Sequence, residues 1–187
     1  VSEPLPGVTD KVDVILPRKT VLELQRQLAD TDDPVDIELG GNQARLRFGS
    51  VELITKLIDG KFPDYERVIP KDHPKEIMLQ RSTFLPALQR SAILTNEKFK
   101  GVRVVLSAGT LKLISSNAEQ EEAQEELEID YNGDALNIGF NVSYLLDVLN
   151  NVSGDTLSLR LNDGNSSALI TLPGTDDFKY VVMPMRV

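Results

Sequence analysis

Short runs of alternating apolar and polar residues dominate this chain, interrupted by three stretches with helical spacing. "KVDVIL" (11–16) alternates and predicts a strand. In "PRKTVLELQRQLAD", Val21, Leu24 and Leu28 recur at helical intervals and Leu22 widens the stripe. Pro17 stands near its start, where a missing N–H does no harm, and "TDDP" ends it. "VDIEL" and "ARLRF" alternate around "GGNQ" and predict a hairpin. "VELITKLI" predicts a third strand turning at Asp59-Gly60, and "FPDYERVIP" an irregular crossing segment. "KDHPKE" is polar and proline-bearing, as a boundary is.

The second half repeats the theme. "STFLPALQRSAILTN" predicts a helix capped by Ser82 or Thr83, with Pro86 inside the tolerated first turn. "GVRVVLS" and "TLKLISS" predict a hairpin around Ala108-Gly109, and "EELEIDY" continues as a strand. "ALNIGFN" precedes a helix, "SYLLDVLNNV", whose single apolar face holds Tyr144, Leu145, Val148, Leu149 and Val152. "TLSLRL" and "SALITL" form a hairpin across "NDGNS", and "KYVVMPM" is the last strand.

These runs form an internal repeat. Strand "VDVIL", a helix, a hairpin and "FPDYERVIP" match strand "LNIGF", a helix, a hairpin and "FKYVVMPM", at an offset of about 122 to 124 residues. A third helix-plus-strands unit, 77–130, lies between them. The fold class is therefore α+β: repeated modules of one helix and antiparallel strands, with the helices on one face of the sheets. Two modules make a natural domain, so three make one and a half. Residues 1–70 read as the back half of a domain and 71–187 as a whole one. The absence of an initiator Met agrees with a mature form or a fragment.

Composition narrows the chemistry. The chain has 187 residues, enough for a real core without disulfides, and contains no cysteine, which removes thiolate and Cys-zinc chemistry and suits a reducing cytoplasm. No apolar run approaches the roughly 20 residues of a membrane span. The net charge of −9 opposes a basic nucleic-acid-binding domain, and its acidic excess is spread over both halves. Any basic face must arise from folding. The run Glu119–Glu128 holds six glutamates. Paired carboxylates bind metals or exchange protons, but on a strand they alternate, and one solvated acidic face is the simpler reading. The single histidine, His73, lies in the polar boundary without a second ligand nearby. "GGNQ" leads into a strand, unlike a phosphate loop. No catalytic residue, metal site or cofactor is expected.

The motifs "NEKFKGVRVVLS", "NAEQEEAQEE", "IGFNVSYLLDVLNNV" and "YVVMPMR" resemble the C-terminal part of the beta sliding clamps of bacterial DNA polymerase III. "VILPRKTVLELQR" and "KLIDGKFPDYERVIP" resemble the second half of their middle domain. The resemblance implies a head-to-tail homodimeric ring of six similar domains, with twelve helices around duplex DNA. Such a ring slides without sequence preference and performs no chemistry. It also implies a pocket for short peptides of the replicative polymerase and clamp loader. Carried over by motif, the pocket residues are Pro63, Arg67, Val68, Phe99, Asn141, Tyr144, Met183, Pro184, Met185 and Arg186. The DNA-facing candidates are Arg18, Lys19, Arg26, Arg90 and Lys100. Ile93 and Leu94 are expected at the dimer interface. Location would be cytoplasmic, with no membrane partner. Two other readings remain open on the residues alone: a carboxylate-rich metal-dependent hydrolase, and an interaction module without a DNA role.

Overall fold

The computed structural model describes residues 12–28, 32, 34–62, 64–71 and 73–187. The chain falls into two compact units, one ending at Asp64 and the other running Tyr65–Val187.

In the first unit, helix α1 (Arg18–Gln27) follows Pro17, whose extended backbone and carbonyl start the first turn. An antiparallel meander follows: β1 (Asp36–Gly40), β2 (Gln43–Phe48) and β3 (Val51–Lys56). Gly41 takes a φ of 58° in the β1–β2 turn, a left-handed conformation that glycine enters without strain. Alternation along β2 buries Ala44, Leu46 and Phe48. The expected stripe on α1 is only partly inward. Thr20 is its buried residue, sharing a 2.7 Å hydroxyl hydrogen bond with Thr55, while Val21 and Leu22 are about half exposed. The strand expected at 11–16 is absent from the described residues. Residues 12–17 are irregular, and the Ile58 amide donates to the Ile15 carbonyl. Alternation marks a strand only where an edge exists to pair with, and no ladder forms on this segment.

The second unit contains β4 (Lys75–Gln80), α2 (Arg81–Ile93), β5 (Gly101–Ser107), β6 (Thr110–Ser116), β7 (Glu122–Glu128), β8 (Leu136–Asn141), α3 (Val142–Asn151), β9 (Thr156–Leu161), β10 (Ala168–Thr171) and β11 (Lys179–Val182). The sequence reading missed β4, because its polar start merges with the boundary "KDHPKE". Yet β4 completes the architecture. Two four-stranded antiparallel sheets form, β11-β10-β9-β4 and β7-β6-β5-β8. Each module's leading strand pairs with the other module's meander: β4 with β9, and β8 with β5. Neither sheet is complete without the other module.

Helices α2 and α3 pack against each other and against the sheets, around a core that includes Ile77, Leu88, Leu106, Phe140, Leu145 and Leu161. The Arg81 guanidinium donates to the Leu149 carbonyl at 2.6 Å, placing a cation at the C-terminal end of α3, where the helix dipole favours it.

Several local expectations are corrected. The first turn of α2 begins earlier than Ser82, so Gln80 is its cap and makes no side-chain capping bond. Thr83 Oγ1 instead donates back to the Gln80 carbonyl. Pro86 therefore sits in the second turn, where its lack of an N–H leaves the Ser82 carbonyl without its helical partner. Tyr144 is 53% exposed and leaves the buried face of α3 to Val142, Leu145, Val148 and Leu149. The last strand stops at Val182, before Met183 and Pro184.

Candidate functional site

The edge strands β11 and β8 belong to different sheets, and the C-terminal tail crosses from one to the other. After Val182 the chain leaves the sheet, and the Met185 amide donates to the Gly139 carbonyl of β8 at 2.8 Å. The Val187 side chain then lies over Gly139 and Gly101. A Cβ at Gly139 would run into both the Met185 carbonyl and Val187, and one at Gly101 would come within 2.8 Å of Val187. These glycines are the seat of the tail. Sequence reading passed over them, since a glycine inside a strand signals close approach without saying of what.

The tail leaves Met183 63% exposed, with Pro184 and Met185 half-buried and Arg186 exposed. The Ser167 hydroxyl donates to the Met183 sulfur at 2.9 Å. Beside the seam, Asn141 ends β8 and caps α3, its Oδ1 accepting from the Ser143 amide at 2.9 Å. Asn141 Nδ2 donates to the Phe99 carbonyl at 3.4 Å. The loop carrying Phe99 is held by Asn96, whose side-chain oxygen accepts from the Lys98 and Phe99 amides. Lys100, at a left-handed φ of 48°, accepts from the Val142 amide through its carbonyl. Phe99 is 56% exposed, with the Lys98 ammonium 5.3 Å from its ring centre, a cation–π contact.

Tyr180, half-buried on β11, lies close to the Asp147 carboxylate and the Tyr144 phenol. Burial first, then those two groups, push its phenol pKa up, so it stays a neutral donor. Tyr180 and Ser167 were absent from the motif-based set. They emerge only because strand pairing carries them to this edge.

The geometry thus links Phe99 with Asn141, Asn141 with the start of α3 that carries Tyr144, and the Met183–Arg186 segment with β8. It presents exposed aromatic and thioether surface beside a sheet seam, the chemistry that suits an apolar segment. Arg67 and exposed Val68 lie on and just after a 3-10 turn, Tyr65–Arg67. Pro63 lies outside the described residues. A cavity of about 290 Å³ exists elsewhere, on the outward face of β4, β9, β10 and β11, lined by residues such as Met78, Arg160 and Lys179.

The expected basic residues are less free than their types imply. Arg90 makes a two-pronged pair with Glu125, each contact 2.7 Å. That pairing holds the Glu125 carboxyl below the usual glutamate range. Arg26 binds Glu23 at 2.7 Å within α1, while Arg18 and Lys19 are exposed at its start. Ile93 ends α2 at 77% exposure, next to half-buried Leu94.

The acidic run is divided among local duties. Glu125 takes Arg90, Glu126 faces Lys112 across the β6–β7 ladder at 3.0 Å, and Glu121 accepts from Asn117. Among the described residues no group of three or more His, Cys, Asp or Glu could hold a metal ion. No helix among them is long and apolar enough to cross a membrane.

Comparisons with known proteins converge. Residues 66–186 match the family described as DNA polymerase III beta subunit, C-terminal domain, and residues 5–64 match its central domain. A beta sliding clamp of Pseudomonas putida is 51% identical over 178 residues, covering 95% of this chain and 48% of the relative. A solved DNA polymerase III subunit beta from Pseudomonas aeruginosa superposes with a TM-score of 0.90 at 49% identity, covering 97% of this chain and 50% of that one. A Caulobacter crescentus beta sliding clamp gives 0.92 at 38% identity, over 100% and 50%. The chain spans about half the length of these relatives.

Proposed function

The chain belongs to the beta-subunit family of bacterial DNA polymerase III, and from that premise we propose that it works as part of a sliding clamp, a ring on duplex DNA that tethers the polymerase. The observation that carries this reading is the consecutive match to central and C-terminal clamp domains. In this reading the second half of the central domain ends with the first compact unit at Asp64, and the C-terminal domain follows from Tyr65. The protein is not an enzyme; enclosure of the duplex supplies processivity. It acts in the cytoplasm as a homodimeric ring, with exposed Ile93 at the end of α2 and half-buried Leu94 just after it meeting the partner.

DNA contact is to phosphates and carries no sequence information. Arg18, Lys19, Arg26, Arg90 and Lys100 line the hole. With Arg90 bound by Glu125 and Arg26 by Glu23, that lining holds DNA loosely, as sliding requires.

The tail seam is the docking site for polymerase and clamp-loader peptides. Tyr144, Phe99 and Met183 supply apolar surface, and Arg186 with Asn141 fixes the peptide's register. By the family motif Arg67 and Val68 share the docking role, as does Pro63, which lies outside the described residues. Three of the six glutamates are engaged locally, Glu125 by Arg90, Glu126 by Lys112 and Glu121 by Asn117, which gives the hydrolase alternative no support.

The test is a titration of this chain with a synthetic peptide copying the clamp-binding segment of its host's replicative polymerase. Met183→Ala with Tyr144→Ala should weaken binding at least tenfold, about 1.4 kcal/mol. Equal affinity in the double variant would remove the site.

A further inference from the structure

Methionine is scarce in this chain, and Met183 is the most exposed of its three: 63%, against 46% for Met78, with Met185 half-buried. Its sulfur points to a hydroxyl, Ser167 Oγ, 2.9 Å away. A thioether has two lone pairs, and one donor engages only one of them. The other is available to an oxidant reaching the exposed side chain.

We propose that Met183 is a site of reversible oxidation by peroxides, and that its sulfoxide closes the docking seam to peptide. The proposal rests on the seam being the docking site. The sulfur lone pair attacks one oxygen of hydrogen peroxide, and the O–O bond breaks. The oxygen stays on sulfur as the sulfoxide, while the departing oxygen, with both protons, leaves as water. Sulfur is oxidised by two electrons and the peroxide is reduced by two.

The product differs from the thioether where it matters. A sulfoxide oxygen is polar and a far stronger hydrogen-bond acceptor than a thioether. Ser167 is already in place to donate to it, so the polar group is held within the seam instead of turning away. A polarizable apolar surface becomes one that a docking apolar side chain must desolvate without compensation. Met185 is protected by its half-buried position along β8, so the two methionines of the tail do not respond alike.

The experiment uses the full chain and hydrogen peroxide, followed by peptide mapping with mass spectrometry. The same polymerase-derived peptide is titrated before and after treatment. Met183 should be oxidised first, at least threefold faster than Met78 or Met185, and that preference should vanish in urea. Peptide affinity should fall at least tenfold in step with the Met183 sulfoxide and recover with methionine sulfoxide reductases of both epimer specificities. Met183→Leu, whatever its own affinity, should bind equally before and after peroxide. Equal or slower oxidation of Met183 overturns the proposal and leaves the docking site standing. Complete sulfoxide at Met183 with unchanged affinity overturns it too. An untreated chain that does not bind the peptide overturns the docking reading, and with it the proposed consequence.

Discussion

Gly139→Ala tests whether the tail's seat on β8 shapes the proposed docking seam. At an unobstructed strand position this change stabilises, by about 0.5–1 kcal/mol, since alanine restricts the unfolded chain. Here the new methyl group meets the Met185 carbonyl and Val187. A side chain can swing aside, but a backbone carbonyl moves only with its segment. The tail therefore lifts, and two contributions go with it. The hydrogen bond from the Met185 amide to the Gly139 carbonyl contributes about 1 kcal/mol. Val187 is 58% exposed, so its remaining contact is worth roughly 0.6 kcal/mol. Less the alanine gain, the variant should lose about 1 kcal/mol, a fall of roughly 3–6 °C in Tm. Peptide affinity should drop more sharply, about tenfold, because Met183 and Arg186 are carried by the displaced segment. The assays are a thermal melt and a peptide titration on the same preparation. Val187→Ala added to Gly139→Ala should not rescue either, because the carbonyl clash persists. A Gly139→Ala chain as stable as the parent, with unaltered affinity, would refute the argument that the tail is seated on this glycine.

Other outcomes follow from single contacts. Ser91 is fully buried on α2 and its hydroxyl has no partner, while its carbonyl accepts from Ser115. Ser91→Ala should stabilise by about 1 kcal/mol, read by urea denaturation. Leu88 is fully buried between α2 and the sheets, so Leu88→Ala should destabilise by about 2–5 kcal/mol in the same assay. Glu125 has a depressed carboxyl pKa in the folded chain because of Arg90. Its stabilisation is therefore fully present above the ordinary glutamate pKa and is lost as pH falls through the lower, folded-state value. Arg90→Ala should flatten that segment of the Tm-against-pH curve, and an unchanged slope would mean the pair is idle.

Most elements are legible in the chain because their causes are local. The alternation of β5 and β6 follows from one buried face per strand, and the turn at Gly109 from its left-handed φ of 72°. The helices declare themselves by apolar spacing, and the repeat by its order of elements. The family motifs are local too, which is why Met183, Tyr144 and Asn141 could be named together without coordinates.

What the chain did not reveal depends on distant partners. β4 is a strand because β9 offers it an edge more than 70 residues away, and 12–17 alternates equally well but forms no ladder. Tyr144 has the spacing of a core residue, yet the start of α3 leaves it facing out. Arg90 looks like a free cation until β7 brings Glu125 to it. Side-chain type and period set which faces are apolar, but pairing and packing decide which groups meet. Those choices rest on free energies shared between segments far apart in the chain, so only the tertiary structure could place Gly139 under the tail and Ser167 beside Met183.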